Sequence, residues 1–121
     1  MGTEHVQRGR WGEDLAARHL EGTGLTILER NWRCRAGEID IVAADSDTGT
    51  LIICEVKTRS TEDFGSPLAA ITPRKLRRLR MLASEWLRDH DTHARAIRID
   101  VIGIVLSTRG APALEHLRGV S

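Results

Sequence analysis

At 121 residues and 13.5 kDa, the chain has the length of one domain spanning 1–121, enough to bury an ordinary core without disulfides or a structural metal. Its 40% hydrophobic and 29% charged residues exclude wholesale disorder. No apolar run nears the ~18 residues that would span a bilayer, and the opening MGTEHVQRGRWGED has no apolar core of a secretion signal. A net charge of +1 argues neither for nor against a nucleic-acid partner.

Cys34 and Cys54 are the two cysteines, and neither has a second cysteine or a histidine at zinc-ligand spacing, so two free thiols in a reducing cytoplasm are expected and no zinc is assigned. The basic residues are uneven: 16 of 18 are arginine, and Lys57 and Lys75 are the two lysines. Against that background a lysine stands out.

In chain order, residues 10–21 predict a helix with Leu15, His19 and Leu20 on its partly apolar face and Gly22 and Gly24 as the stop. Residues 25–30 read as a short strand and 31–37 as the polar turn after it. Residues 38–44 form the next strand, with Ile39 and Ile41 on one face and Glu38, Asp40 and Val42 on the other. After a hairpin loop over 45–50, alternation over 51–58 sets Leu51, Ile53, Glu55 and Lys57 on one face and Ile52, Cys54, Val56 and Thr58 on the other. Both strands are apolar on both faces for most of their length, which places them centrally in a covered sheet.

A Gly/Pro loop at 64–67 leads to a second helix capped by Thr72 with Pro73 in its first turn. Leu76, Leu79, Ala83, Trp86 and Leu87 make its buried stripe, with Arg74, Arg77, Arg78 and Arg88 opposite. The stretch from His90 to His93 reads as a solvated turn, and 96–106 is a fourth strand. The fold class is therefore α/β, a mixed β-sheet flanked by helices in the order α-β-β-β-α-β, and not a Rossmann fold.

The chemistry concentrates in Asp40, a gap of fourteen residues, then Glu55-Val56-Lys57. A hairpin between the two strands brings Asp40 beside the neighbouring strand, while Glu55 and Lys57 project from one face roughly 6.6 Å apart. Carboxylates this close raise each other's proton affinity unless a cation lies between them. Mg²⁺ takes one or two protein carboxylates and keeps its waters, and a lysine alongside can position water or stabilise developing charge. The set suits metal-assisted phosphodiester hydrolysis. Each residue also has an ordinary reading: a same-face Glu55–Lys57 ion pair worth ~0–1 kcal/mol if exposed, an Asp40 accepting backbone hydrogen bonds, and a Glu13 meeting a helix dipole. Asp100 reads as structural, paired with an arginine.

Asp40…Glu55-Val56-Lys57 resembles the D…(D/E)-x-K signature of the restriction-endonuclease-like superfamily. Through GRWGEDLAARHL, ERNWRCRAGEIDIV, EVKTRS, FGSPLAAITPRKLRRL and IRIDVIGI, most of the chain resembles the YraN-like family of bacterial endonuclease-like proteins, related to Holliday-junction resolvases. Ile39 stands where the superfamily's name has proline, and the tail from His116 follows the family's terminal motif loosely.

The resemblance implies a restriction-endonuclease-like core, Asp40 and Glu55 as carboxylates for Mg²⁺ or Mn²⁺ with Glu13 assisting, and Lys57 as the catalytic lysine. It also suggests a resolvase-like homodimer, although a monomer fits the composition equally well. Arg74, Lys75, Arg77 and Arg78, with Arg59 beside the site strand, would hold phosphates. Trp11 and Trp32 are the aromatics best placed to stack on a base, and both fit packing roles equally. The leading expectation is a metal-dependent nuclease acting on DNA rather than RNA, on branched or structured forms. The rival is an inactive nucleic-acid-binding or adapter protein on the same fold, with no membrane partner in either case.

Overall fold

The computed structural model describes residues 2–60, 69, 71–107 and 110–120, with side chains from residue 10 onward; the loop expected at 64–67 lies outside the described residues. The elements are α1 (Gly2–Gly22), β1 (Thr26–Cys34), β2 (Gly37–Asp45), β3 (Thr50–Ser60), α2 (Pro73–Asp89), β4 (Ala96–Leu106) and β5 (Ala113–Leu117). The strands form one sheet in the order β1-β2-β3-β4-β5. β3 and β4 run parallel, joined across α2, and the other pairs are antiparallel. The two strands read as apolar on both faces are β2 and β3, and β3 is the middle strand.

The helices cover opposite faces. Ala16, Ala17 and Leu20 of α1 pack on Ile41, Ala43, Ile52, Cys54, Ile102 and Ile104. Leu79, Leu82, Ala83 and Trp86 of α2 pack on Trp32, Ile39, Val42, Leu51, Ile53 and Ile99. Burying a side chain of this size is worth roughly 1.5–3 kcal/mol, so the two clusters bear most of the fold. The α2 stripe differs from expectation in detail: Leu82 is fully in the core, whereas Leu76 and Leu87 are partly buried. Helix α1 begins eight residues before the expected start at residue 10.

The expected polar turn over 31–37 is mostly strand. β1 continues to Cys34, and the turn is reduced to Arg35 and Ala36. The β1–β2 register shifts between Ile27 and Glu29; beyond it Arg30 pairs with Ile41 and Trp32 with Ile39 in one register, with Asn31 and Asp40 between them left out of the ladder. Asn31 sits at φ 54°, the left-handed conformation that asparagine tolerates better than most residues. That rotation breaks the two-residue alternation. On β2, where Asp40 lies outside both ladders, Ile41 faces α1 and Ile39 faces α2, so these two do not share a face as alternation predicted.

The chain also carries a strand that sequence patterning did not predict. β5 pairs with β4 at the sheet edge, and Val120 N–H then donates to Ile99 C=O at 2.8 Å. Buried Asp100 anchors this tail. It accepts from Arg98 Nε (2.9 Å) and Nη2 (3.0 Å), from His116 Nε2 (2.8 Å) and from Gly119 N–H (3.0 Å). Burial alone would raise the Asp100 pKa, but these donors outweigh it and hold the carboxyl below its ordinary value.

Candidate active site

The break in the ladder at Asp40 is what frees its carboxylate. β2 pairs with β3 from Ile41 opposite Cys54 onward, and Asp40 Oδ2 accepts the Val56 N–H at 2.8 Å across the gap. Glu55 follows Leu51 and Ile53 on the α2 face of β3, with Lys57 and Arg59 next along the same alternation. The Thr72 hydroxyl accepts the Lys75 N–H at 3.1 Å, and with Pro73 in the first turn it fixes how α2 enters the fold. That geometry aims Lys75 back at β3. Lys75 Nζ lies 3.3 Å and Lys57 Nζ 3.6 Å from the same oxygen, Glu55 Oε1. The chain's two lysines therefore meet on one carboxylate.

Electrostatics here are strained. The Asp40 pKa is pushed up to about 7, first by burial and then by Glu55, Glu13 and Glu38, against the opposing Val56 hydrogen bond. The Lys57 pKa is lowered, chiefly by its hydrogen bond with Lys75 and by burial, despite Glu55. For Lys75, burial works against the charge, but Lys57 and Glu55 outweigh it and hold the pKa above its ordinary value. Lys75 is thus the more firmly protonated of the pair. The Cys54 thiol behind the site is pushed well up by burial and by Asp100, Asp40 and Glu55, so it stays a thiol.

Glu13 reaches this region from α1. Its Oε1 is buried without a hydrogen-bond partner among the described residues, and its ion-pair contact, Arg30 Nη2, is 3.8 Å away. Gly12 makes the approach feasible, because a Cβ there would collide with Thr58 Oγ1 on β3. Among the described residues no group of three or more His, Cys, Asp and Glu could hold a metal ion. Two carboxylates with water and phosphate oxygens remain a normal donor set for Mg²⁺. Asp40's raised proton affinity and the unsatisfied Glu13 oxygen both favour a cation at this position.

A family model described as "Uncharacterised protein family UPF0102" matches residues 12–104. The chain belongs to the UPF0102 family. Similar proteins include the UPF0102 protein of Streptomyces coelicolor, 56% identical over 115 residues, covering 93% of this chain and 87% of that one. A UPF0102 protein of a Nocardioides species is 54% identical, with 93% and 89% covered. One from a Mycobacterium species (strain JLS) is 49% identical, with 93% and 84% covered. The UPF0102 match includes Glu13, Asp40, Glu55, Lys57 and Lys75 and ends before β5.

Of the residues singled out in sequence, Asp40, Glu55 and Lys57 come together, with Glu13 close enough to act on Asp40 electrostatically. Lys75 joins them directly rather than lying out with the helix arginines. Its rarity as one of two lysines was the available signal. Arg74, Arg77 and Arg78 are exposed on α2. Arg59 is half-buried, and its Nε is buried with no hydrogen-bond partner among the described residues. His90 lies in the expected exposed turn over 90–93, but it is not free there. Its ring stacks on Trp86 at 3.9 Å, and its Nε2 lies 2.8 Å from Glu29 Oε1, which also accepts from Trp86 Nε1.

No helix among the described residues is long and apolar enough to cross a membrane. A cavity of about 400 Å³ beside the β2–β3 turn, lined by Leu51, Trp86 and Leu87 among others, lies at the other end of the sheet from these carboxylates.

Proposed function

We propose that this UPF0102 protein is a divalent-metal-dependent nuclease of the restriction-endonuclease-like kind, hydrolysing phosphodiester bonds in DNA, on branched or structured forms. The single observation that carries the reading is the convergence of Asp40, Glu55, Lys57 and Lys75 at the break between β2 and β3. A cluster that raises the pKa of one acid to about 7 and crowds two ammonium groups onto another is poorly suited to stabilising a fold.

Asp40 and Glu55 would hold Mg²⁺ or Mn²⁺, with Glu13 assisting. The ion, when bound, neutralises phosphate charge and makes water easier to deprotonate. Lys57, the less firmly protonated lysine, orients the attacking water at its Nζ. Lys75 keeps its charge and offsets the negative charge that builds on the phosphate. Arg59, Arg74, Arg77 and Arg78 hold flanking phosphates, which gives affinity without sequence preference. The cytoplasm suits the free thiols of Cys34 and Cys54, and a resolvase-like homodimer would match two strands of a branched substrate.

The test is cleavage of a panel of single-stranded, duplex, flap and four-way-junction DNA with Mn²⁺ or Mg²⁺. Wild type should cut at least one, and Asp40→Asn and Lys57→Ala should cut none while still folding. Cleavage by Lys57→Ala at the wild-type rate would remove that residue from the chemistry. The absence of a three-ligand group among the described residues favours one second reading, an inactive nucleic-acid-binding or adapter protein. Such a protein should bind DNA equally well in chelator and cut nothing on the panel.

A further inference from the structure

The three tryptophans occupy different settings. Trp32 and Trp86 are 8% and 4% exposed in the α2-side core, whereas Trp11 is 41% exposed. Trp11 immediately precedes Gly12, whose contact with Thr58 seats α1 on β3 between Lys57 and Arg59. It lines a pocket of about 400 Å³ together with Leu106, Ser107, Gly110 and Pro112. Leu106 pairs with Ser60, and Val105 with Arg59, so the pocket borders the strand ends that carry the cationic side chains. Its volume lies in the range of ligand pockets. An indole facing aliphatic walls is a sandwich for a flat, apolar-faced group. On the other face of the same strand ends, the buried Arg59 Nε has no hydrogen-bond partner among the described residues.

We propose that this pocket takes one unpaired nucleobase, stacked on Trp11, from a strand whose phosphates lie along Arg59, Lys57 and Lys75. The inference rests on the nuclease reading and narrows its substrate class to nucleic acid with unstacked nucleotides, such as single strands, forks and junctions. A base inside a continuous duplex has both faces covered by its neighbours and cannot enter. The cations at the same strand ends select a polyanion, which a purely apolar partner surface would not need.

The probe is (dT)20 titrated into the full chain with Ca²⁺ in place of Mg²⁺, read by tryptophan emission. Binding should quench the emission of wild type. Trp11→Phe should still bind, but the remaining emission from buried Trp32 and Trp86 should not respond. Trp11→Ala should lose roughly 5- to 150-fold in affinity, the worth of one base–aromatic stack. On an abasic strand of equal length the wild type and Trp11→Ala should bind within twofold of each other. Far-UV circular dichroism confirms that both variants fold.

Equal (dT)20 affinity for wild type and Trp11→Ala, or an equally large loss on the abasic strand, would overturn the base pocket and leave the nuclease reading standing. Wild type that binds no nucleic acid would overturn both. A concentration-dependent emission change without DNA, abolished in Trp11→Ala, would assign the pocket to a second copy of the chain and overturn its role in binding a base.

Discussion

Replacing Asp40 with asparagine should make the protein more stable at pH 8 and much less so at pH 5. The Asp40 carboxyl has a pKa of about 7 in the folded protein against an ordinary value of 3.8, so the folded state holds its proton more tightly than the unfolded chain. Between these values the unfolded state binds fewer protons, and stability falls as pH rises. Relative to a neutral side chain, this corresponds to about 4 kcal/mol at pH 8 and about 1.5 kcal/mol at pH 5. Asparagine cannot ionise, yet its carbonyl can still accept the Val56 N–H. The advantage of Asp40→Asn should therefore grow by about 2–3 kcal/mol between pH 5 and pH 8.

For a domain of this size that is on the order of 10 °C in melting temperature. The assay is thermal unfolding by circular dichroism for both proteins, across this pH range, in chelator. Other titrating groups are common to both proteins and cancel in the difference. A gap that does not change with pH would refute the claim that Asp40 is held in an unfavourable ionised state.

Lys57→Ala should leave DNA binding within a few-fold and reduce cleavage by at least 100-fold, the usual worth of a positioned proton-transfer group, measured by single-turnover assay. Gly12→Ala should cost about 1–3 kcal/mol in urea unfolding and slow cleavage as well, because the new methyl meets Thr58 and lifts α1, with Glu13, off β3. Asp100→Asn should cost on the order of 3 kcal/mol at pH 7 by leaving Arg98 without its buried partner. Wild type should lose that advantage as pH falls below about 4, since a depressed carboxylate pKa stabilises only above it, and urea midpoints at pH 7 and pH 3 report both effects. DNA affinity should fall steeply with salt, and Arg77→Ala with Arg78→Ala should flatten the slope in a salt titration.

The residues that could be read from sequence were those whose local pattern and tertiary role agree. Alternation in β3 set Glu55 and Lys57 on one face, and Thr72-Pro73 announced the start of α2. What was hidden depended on distant partners. Asn31 looked like a turn residue because asparagine favours the same left-handed conformation in turns and in a kinked strand; only the pairing of Trp32 with Ile39 shows which applies. β5 is five residues with an exposed alternate face, too short and polar to stand out until Asp100 gathers His116 and Gly119. Lys75 lay in a run of arginines, and its reach to Glu55 depends on where the cap points α2.

The most direct test of the central claim is calorimetric titration of Mn²⁺ into metal-free wild type and Asp40→Asn at pH 6.5, repeated in two buffers of different ionisation enthalpy. Wild type should bind saturably and release part of a proton, because an ion must displace the proton that Asp40 retains near that pH. Asp40→Asn should show neither the binding nor the proton. Absence of wild-type binding, or binding of equal strength in Asp40→Asn, would contradict the assignment of a metal to these carboxylates.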